Sequence, residues 1–488
     1  MDILRLSAAT LLAGCLIGTV TPAAQSGPPF DLVISGGRVI DPESQLDAVM
    51  DVGVTGDRIT AISATPIAGK DRIDASGLVV SPGFIDLHRH AVGENSYRYA
   101  ARDGVTSVFE LEIGTPDVDA WYRMMGPARL INFGVGAGHI GARMAVMGDR
   151  GFLLPIGPAR GVASREQVER VLAQIDRGLS DGGVAVGIGI AYTPGIAPEE
   201  IEGSLRLAVK YHTFVVVHAG GGGFAELRRL LQAGATAGAP IHLAHINSTA
   251  GDEVRSWLQV VRDARRSGQD VTTEVYPYTA GASLIQSALF DDWQTWPDGQ
   301  FAQMQWAATG ERLTRDTFAK YRALGGSVIS HSNTEESLRV GMADPLPIFA
   351  SDGGRDLDDN PTHPRAAGTF ARVVGRYVRD ERVLSLNDAL RRMTIEPARR
   401  LEARVPEMKD RGRIRLGAFA DITVFDPATV TDRATYTDAA EFSAGIRAVV
   451  VNGVAVVRDS DFVTEGTLQG QRVRLGSPMP GRPIRAPR

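Results

Sequence analysis

Cysteine is nearly absent from this chain, with one residue, Cys15, among 488. That excludes a disulfide-stapled scaffold and a cysteine-built zinc cluster. There is no excess of basic charge either: Lys+Arg number 52 against 57 Asp+Glu, for a formal charge of -5. With both signs interspersed, no basic face is left for nucleic acid. The apolar run at the start, Leu6 to Val20, follows Arg5 and gives way to small residues, too short and wrongly flanked for a membrane span. It reads as an export signal over residues 1–26, which sends the protein to the periplasm. Two processing routes are open. Leu12, Ala13, Gly14 and Cys15 resemble a lipoprotein box, which would lipidate Cys15 and tie the protein to a membrane. Thr21, Pro22 and Ala23 offer an ordinary signal-peptidase site, which would leave it soluble.

What is present is enough apolar material, 43% of the residues, for one large catalytic domain and a smaller companion. From Phe30 onward, DLVISGGRVID, VMDVGVTGDRITAIS and RIDASGLVVSPG alternate as hairpin strands closed by Gly, Asp and Pro. The texture returns in RIRLGAFADITVFDP and GIRAVVVNGVAVVRD. Residues 30–80 and 410–470 are therefore expected to form one small β-sandwich from both chain ends, with 471–488 as a tail.

Between them, over 81–409, β-branched runs alternate with amphipathic stretches such as SREQVERVLAQIDRGL and APEEIEGSLRLAVKYH. Strands are expected to end near His90, Ile113, His139, Tyr192, His218, Asn247, Tyr278 and Asp352. This pattern predicts an α/β fold, a (β/α)8 TIM-type barrel, with its chemistry at the C-terminal strand ends. The stretch from Leu284 to Gly326, with Trp293, Trp296 and Trp306, breaks the repeat and is expected to cross the barrel mouth, as packing or as a substrate lid.

Most of the nine histidines fall at strand ends. His88 and His90 in GFIDLHRH lie two apart on a strand, so both point to one face and can share an ion. Glu110 and Glu112 in VFELEIG, His218 in FVVVHAGG, His245 in IHLAHINS and Asp352 in PIFASDGG add polar ends to apolar strands. Such groups are costly to bury singly, and together they imply a shared cation.

With these residues in view, the chain resembles the amidohydrolase superfamily, and within it the D-aminoacylase (N-acyl-D-amino-acid deacylase) family. The likeness runs from about Phe30 to Pro427. It is carried by GFIDLHRH, DGVTSV, GHIGARMAVMG, GGVAVGIGIAYTPG, EVYPYTAG, SDGG followed by HPRAAGTFARVVGRYV, MTIEPARRL and GRIRLGAFADITVFDP. The resemblance implies zinc, as one or two ions, with His88 and His90 as ligands of one ion and His218 and His245 of another or of the only one. Asp352 is then both a ligand and the group that moves the proton of the attacking water. It also implies a small carboxylate-bearing amide as substrate. Arg365 would grip the carboxylate, and Tyr278 would contact the same group or the scissile carbonyl. Tyr192, Asn247, His139 and Arg143 would stand near the pocket and meet substrate.

The chain departs from the family in three places. Where D-aminoacylases carry a bridging cysteine in a phrase ending NCG, it reads ELEIG. The fourth strand, VAVGIGIAY, lacks the lysine that bridges in other superfamily members. Asn247 stands where a lysine often follows the sixth-strand histidine. Glu112 is the first choice for the bridge because it lies nearer the strand's end, with Glu110 the alternative; the other is expected to hydrogen-bond a ligand.

The function expected is hydrolysis of a linear amide, an N-acyl amino acid or a small peptide. A cyclic-amide hydrolase of the hydantoinase or dihydroorotase kind is the alternative, disfavoured by the missing lysine and the HPRAAGTF phrase. A non-catalytic exported binding protein would need a broken metal set, whereas all the residues of the set are here.

Overall fold

The computed structural model describes residues 29–90, 93–220, 222–463, 465–468, 471–474 and 479–487. The export signal and Cys15 lie outside the described residues. Among those described, no helix is long and apolar enough to cross a membrane.

An eight-stranded parallel sheet forms the larger body. Its strands, β1 to β8 in chain order, are Phe84–Asp86, Val105–Thr115, Asn132–Gly138, Val186–Gly189, Val215–His218, Ile241–Leu243, Val271–Val275 and Ile348–Phe349. They pair in sequence order, each ending within a few residues of its expected position. Runs such as VVVH in β5 are apolar on both faces because helices cover one side and the barrel interior the other. Helix Arg165–Ser180 begins on a capping box, Ser164 with Gln167, as SREQ foretells. Close approach dictates glycine at Gly187 in β4: a Cβ there would lie 2.2 Å from the Glu112 carbonyl oxygen.

β8 and β1 share no ladder, and the seam between them is closed by polar contacts. Asp86 accepts hydrogen bonds from Ser351 N at 2.9 Å and Ser351 Oγ at 2.5 Å, and His90 N donates to Gly353 O at 2.9 Å. These bonds fix the chain segments carrying His88, His90 and Asp352 against each other.

Strands from both chain ends make a second sheet. As expected, this separate unit is built from both ends; its nine strands are joined in one hydrogen-bonded sheet, in which Val79–Pro82 pairs with Phe30–Asp41 on one side and Ile422–Phe425 on the other. Its core holds Leu32, Ile34, Val52, Ile422 and Val450. Of the segment expected as a tail, the described residues 479–487 are docked: Ile484 N donates to Phe133 O at 2.7 Å, and the Ile484 side chain is buried.

The excursion after β7 forms a three-stranded antiparallel sheet of Gly281–Leu284, Ser327–Ser330 and Met304–Trp306. It has its own aromatic core of Trp296, Trp306, Phe290, Phe301 and Phe318. Trp296, Phe290 and Met304 also line the cleft above the barrel, so packing and cleft-lining coincide in the same side chains.

Candidate metal centre

His88, His90, Glu112, His218, His245 and Asp352 converge at the C-terminal mouth. They fall into three overlapping groups, His88/His90/Glu112, His88/His245/Asp352 and Glu112/His218/His245, with donor atoms within 4.8 Å of one another in each. Glu112 stands at the centre. Its Oε2 lies 3.3 Å from His88 Nε2 and 3.2 Å from His90 Nε2, while its Oε1 lies 2.5 Å from His218 Nδ1 and 3.2 Å from His245 Nε2. Glu110 lies one pleat back and takes His90 Nδ1 at 2.7 Å. Asp352 and His245 have positive φ, 50° and 28°, conformations that cost non-glycine residues energy and cluster at functional sites.

The hydrogen bonds decide which ring nitrogens are bare. His88 Nδ1 points at Glu274 and His90 Nδ1 at Glu110, so each of these nitrogens carries the proton. Their Nε2 atoms, 3.0 Å apart, then present lone pairs to one another and to carboxylate oxygens. His245 Nδ1 faces the Thr249 hydroxyl at 3.1 Å, a group that can donate or accept, and its Nε2 lies 3.0 Å from His218 Nδ1. Lone pairs converging with carboxylates are repulsive unless a cation or extra protons lie between them. Burial disfavours the protonated form of His88, but the charges of Glu274, Asp352 and Glu112 outweigh it and hold that imidazole well above its ordinary range. His218 is pushed down by burial. The donor set fits a zinc-type ion, whose ligands are imidazole nitrogens and carboxylate oxygens.

Of the residues expected to meet substrate, Arg365 and Tyr192 line the cleft. Arg365 is buried, pairs with Asp352 at 2.8 Å, lies over the Tyr276 ring at 4.7 Å and leaves its Nε unpartnered. Four expectations are corrected. Tyr278 turns away: β7 ends at Val275, Tyr278 N bonds Tyr276 O at 3.0 Å, and this tight turn around Pro277 sends the phenol to Asp432 at 3.1 Å. Tyr276 lines the cleft instead, its hydroxyl making no hydrogen bond among the described residues. Asn247 faces the backbone of Tyr276, donating to its carbonyl at 3.3 Å, and so positions that residue rather than substrate. His139 and Arg143 face helix Pro198–Lys210, where both bind the buried Glu200, His139 Nε2 at 2.8 Å. They open the helix after β3, and its direction carries them away from the mouth.

Three supporting residues were missed. Glu274 receives His88 Nδ1, His242 Nε2 at 3.0 Å and the His245 amide at 3.2 Å. His363 accepts the Arg365 amide at 3.1 Å and donates to Ala280 O at 3.0 Å. A glutamate inside the apolar strand VTTEV was the available signal for Glu274; for His242 and His363 the sequence shows only two more histidines.

Sequence models of the amidohydrolase family match residues 79–259 and 342–457. An N-acyl-D-glutamate deacylase of Alcaligenes xylosoxydans xylosoxydans is 32% identical over 477 residues, 88% of this chain and 93% of the relative. The solved N-acyl-D-glutamate deacylase of Bordetella bronchiseptica, complexed with zinc and a phosphonate mimic of the tetrahedral intermediate, superimposes with a TM-score of 0.80 at 26% identity, covering 94% of this chain and 100% of that one. A D-aminoacylase studied for its binuclear metal centre has a TM-score of 0.76 at 26% identity, over the same shares of the two chains.

Proposed function

The chain belongs to the amidohydrolase family, and from that membership we propose that it is a zinc-dependent deacylase of N-acyl-D-amino acids with Glu112 in the place of a bridging cysteine. One observation carries the reading: the two oxygens of Glu112 face different imidazole pairs, His88 with His90 and His218 with His245. A carboxylate placed in that way can join two ions. Zinc held there supplies a Lewis acid for the amide carbonyl and lowers the pKa of a bound water.

The chain's own residues have the following parts. Asp352 takes the proton of the attacking water on Oδ1, the oxygen that faces His88 and His90, and passes it to the departing amide nitrogen. Arg365 holds the substrate carboxylate; its free Nε and its place against the Tyr276 ring support this. Tyr276 takes the role expected of Tyr278, because burial pushes its hydroxyl up to about 12 and keeps it a proton donor toward the carbonyl oxygen. Glu274 fixes the His88 tautomer, and Trp296 with Phe290 screens the cleft from water.

Export and lipid attachment at Cys15 rest on the sequence of residues 1–26 alone, and they accord with a hydrolase working outside the cytoplasm. The test is a screen of zinc-loaded protein against N-acyl-D- and N-acyl-L-amino acids, dipeptides, hydantoins and dihydroorotate. Turnover confined to N-acyl-D-amino acids is expected; preference for a cyclic amide would overturn the reading.

A further inference from the structure

The cleft divides into two lobes, each lined by polar and apolar side chains. Tyr192, Ser283, Asp352 and Arg365 stand in both. The lobe beside His218 and His245 is walled by Ser248, Gln300 and Gln303 together with Phe290, Trp296 and Met304. The lobe beside His90 and Glu110 is walled by Ile113, Trp121, Met124, Phe152, Leu154 and Leu284. Two of these walls are open to solvent: Met124 is 62% exposed and Phe152 53% exposed. Large apolar side chains left in water around a cleft mark a place where an apolar ligand lies.

The loop that presents them is a built structure. One carboxylate, Asp149, accepts the backbone N–H groups of Gly151, Ile156, Gly157 and Ala159 at 2.8 to 3.2 Å. Leu153, between Phe152 and Leu154, has φ 63°, a conformation that a leucine adopts only when its surroundings impose it. Arg355, the other cation of this lobe, donates to Asp356 O at 3.0 Å and faces Asp359 at 3.7 Å, while its Nε makes no hydrogen bond among the described residues.

Resting on the deacylase reading above, we infer that the enzyme prefers substrates with a long saturated acyl chain, medium-chain fatty acyl rather than acetyl. The chain lies along the lobe of Ile113, Trp121 and Leu154 and emerges over Phe152 and Met124. The amino-acid half, with its carboxylate on Arg365, takes the lobe of Ser248, Gln300 and Gln303, where Arg365 is the only arginine or lysine lining it among the described residues.

The experiment measures kcat/KM on one D-amino acid acylated with acetyl, butyryl, octanoyl and dodecanoyl groups, for zinc-loaded wild type, Phe152→Asp, Phe152→Leu and Met124→Gln. Each methylene buried adds to binding, so a rise of at least about tenfold from acetyl to octanoyl is expected in wild type. Phe152→Asp should flatten that rise and Phe152→Leu should keep most of it. A profile flat in acyl length, or a rise that Phe152→Asp leaves intact, overturns the inference. So does a preference that follows the amino-acid side chain and responds to Phe152→Asp. Absence of turnover on every N-acyl amino acid would instead remove the deacylase reading itself. Because Phe152 is half in solvent, thermal melting separates loss of fold from loss of chain selection.

Discussion

Asp352 divides its carboxylate between two partners: Oδ2 meets Arg365 Nη1 at 2.8 Å, while Oδ1 faces His90 Nε2 at 3.3 Å. Burial pushes this acid upward, but the charges of Arg365 and His88 outweigh it and keep it ionised well below the usual carboxylate range. A base that is always ionised is ready for a proton at neutral pH, yet Arg365 also weakens it. Substrate carboxylate arriving at Arg365 competes for that guanidinium and frees Oδ2, which makes binding and basicity interdependent.

Asp352→Asn should therefore keep its metal and lose at least about 10²-fold in kcat, the usual scale for a general base. Zinc stoichiometry by elemental analysis, beside steady-state rates, checks this. Unchanged turnover would remove Asp352 from the proton transfer.

Arg365→Ala should raise KM for N-acyl amino acids more than for matched neutral amides, through the lost charge-assisted contact. An equal effect on both substrate classes would show that Arg365 acts only through Asp352.

Glu112→Gln should lower zinc content, while Glu110→Gln, which touches only His90 among the imidazoles, should weaken affinity without emptying the site. Competition with a chromophoric chelator measures both, and the reverse order would move the bridge to Glu110.

Glu274→Gln should loosen zinc by about 10- to 100-fold with ligands intact, as loss of a carboxylate behind a ligating histidine does. The same chelator titration applies; unchanged affinity would confine Glu274 to packing.

Glu200 predicts an acid limit to stability. Burial raises its carboxyl, but hydrogen bonds from His139 and Arg143 outweigh burial and bring it down to about 2. The folded value lies below the unfolded one, so this group's contribution is full above about pH 4.5 and is lost as pH falls toward 2. Glu200→Gln should cost about 3 kcal/mol at neutral pH, by leaving Arg143 buried and unpaired, and should flatten the loss between pH 5 and 3. Urea unfolding across that range measures it.

Much of this was legible beforehand because strand periodicity and polar strand ends are local signals. FVVVHAGG and IHLAHINS announce both a buried strand and the group it delivers. Tyr278 misled because alternation along a strand holds only while the strand lasts, and the turn at Pro277 is set by contacts with Asp432, distant in sequence. His139 and Arg143 misled in a similar way, since their partner Glu200 lies on another helix. Glu274 was overlooked because a carboxylate that binds a ligand rather than an ion leaves no spacing motif.

The pairing of Val79–Pro82 with Ile422–Phe425 has a consequence for biosynthesis. Ser81 and Thr423 meet across 342 positions, so during translation the early strands wait with an unsatisfied edge while nearly the whole barrel is being made. Such long-range closure is slow and leaves nascent chains prone to association. Closure of this sheet thus falls late in synthesis, after the barrel strands are made, and a chaperone that shields Val79–Pro82 should raise the yield.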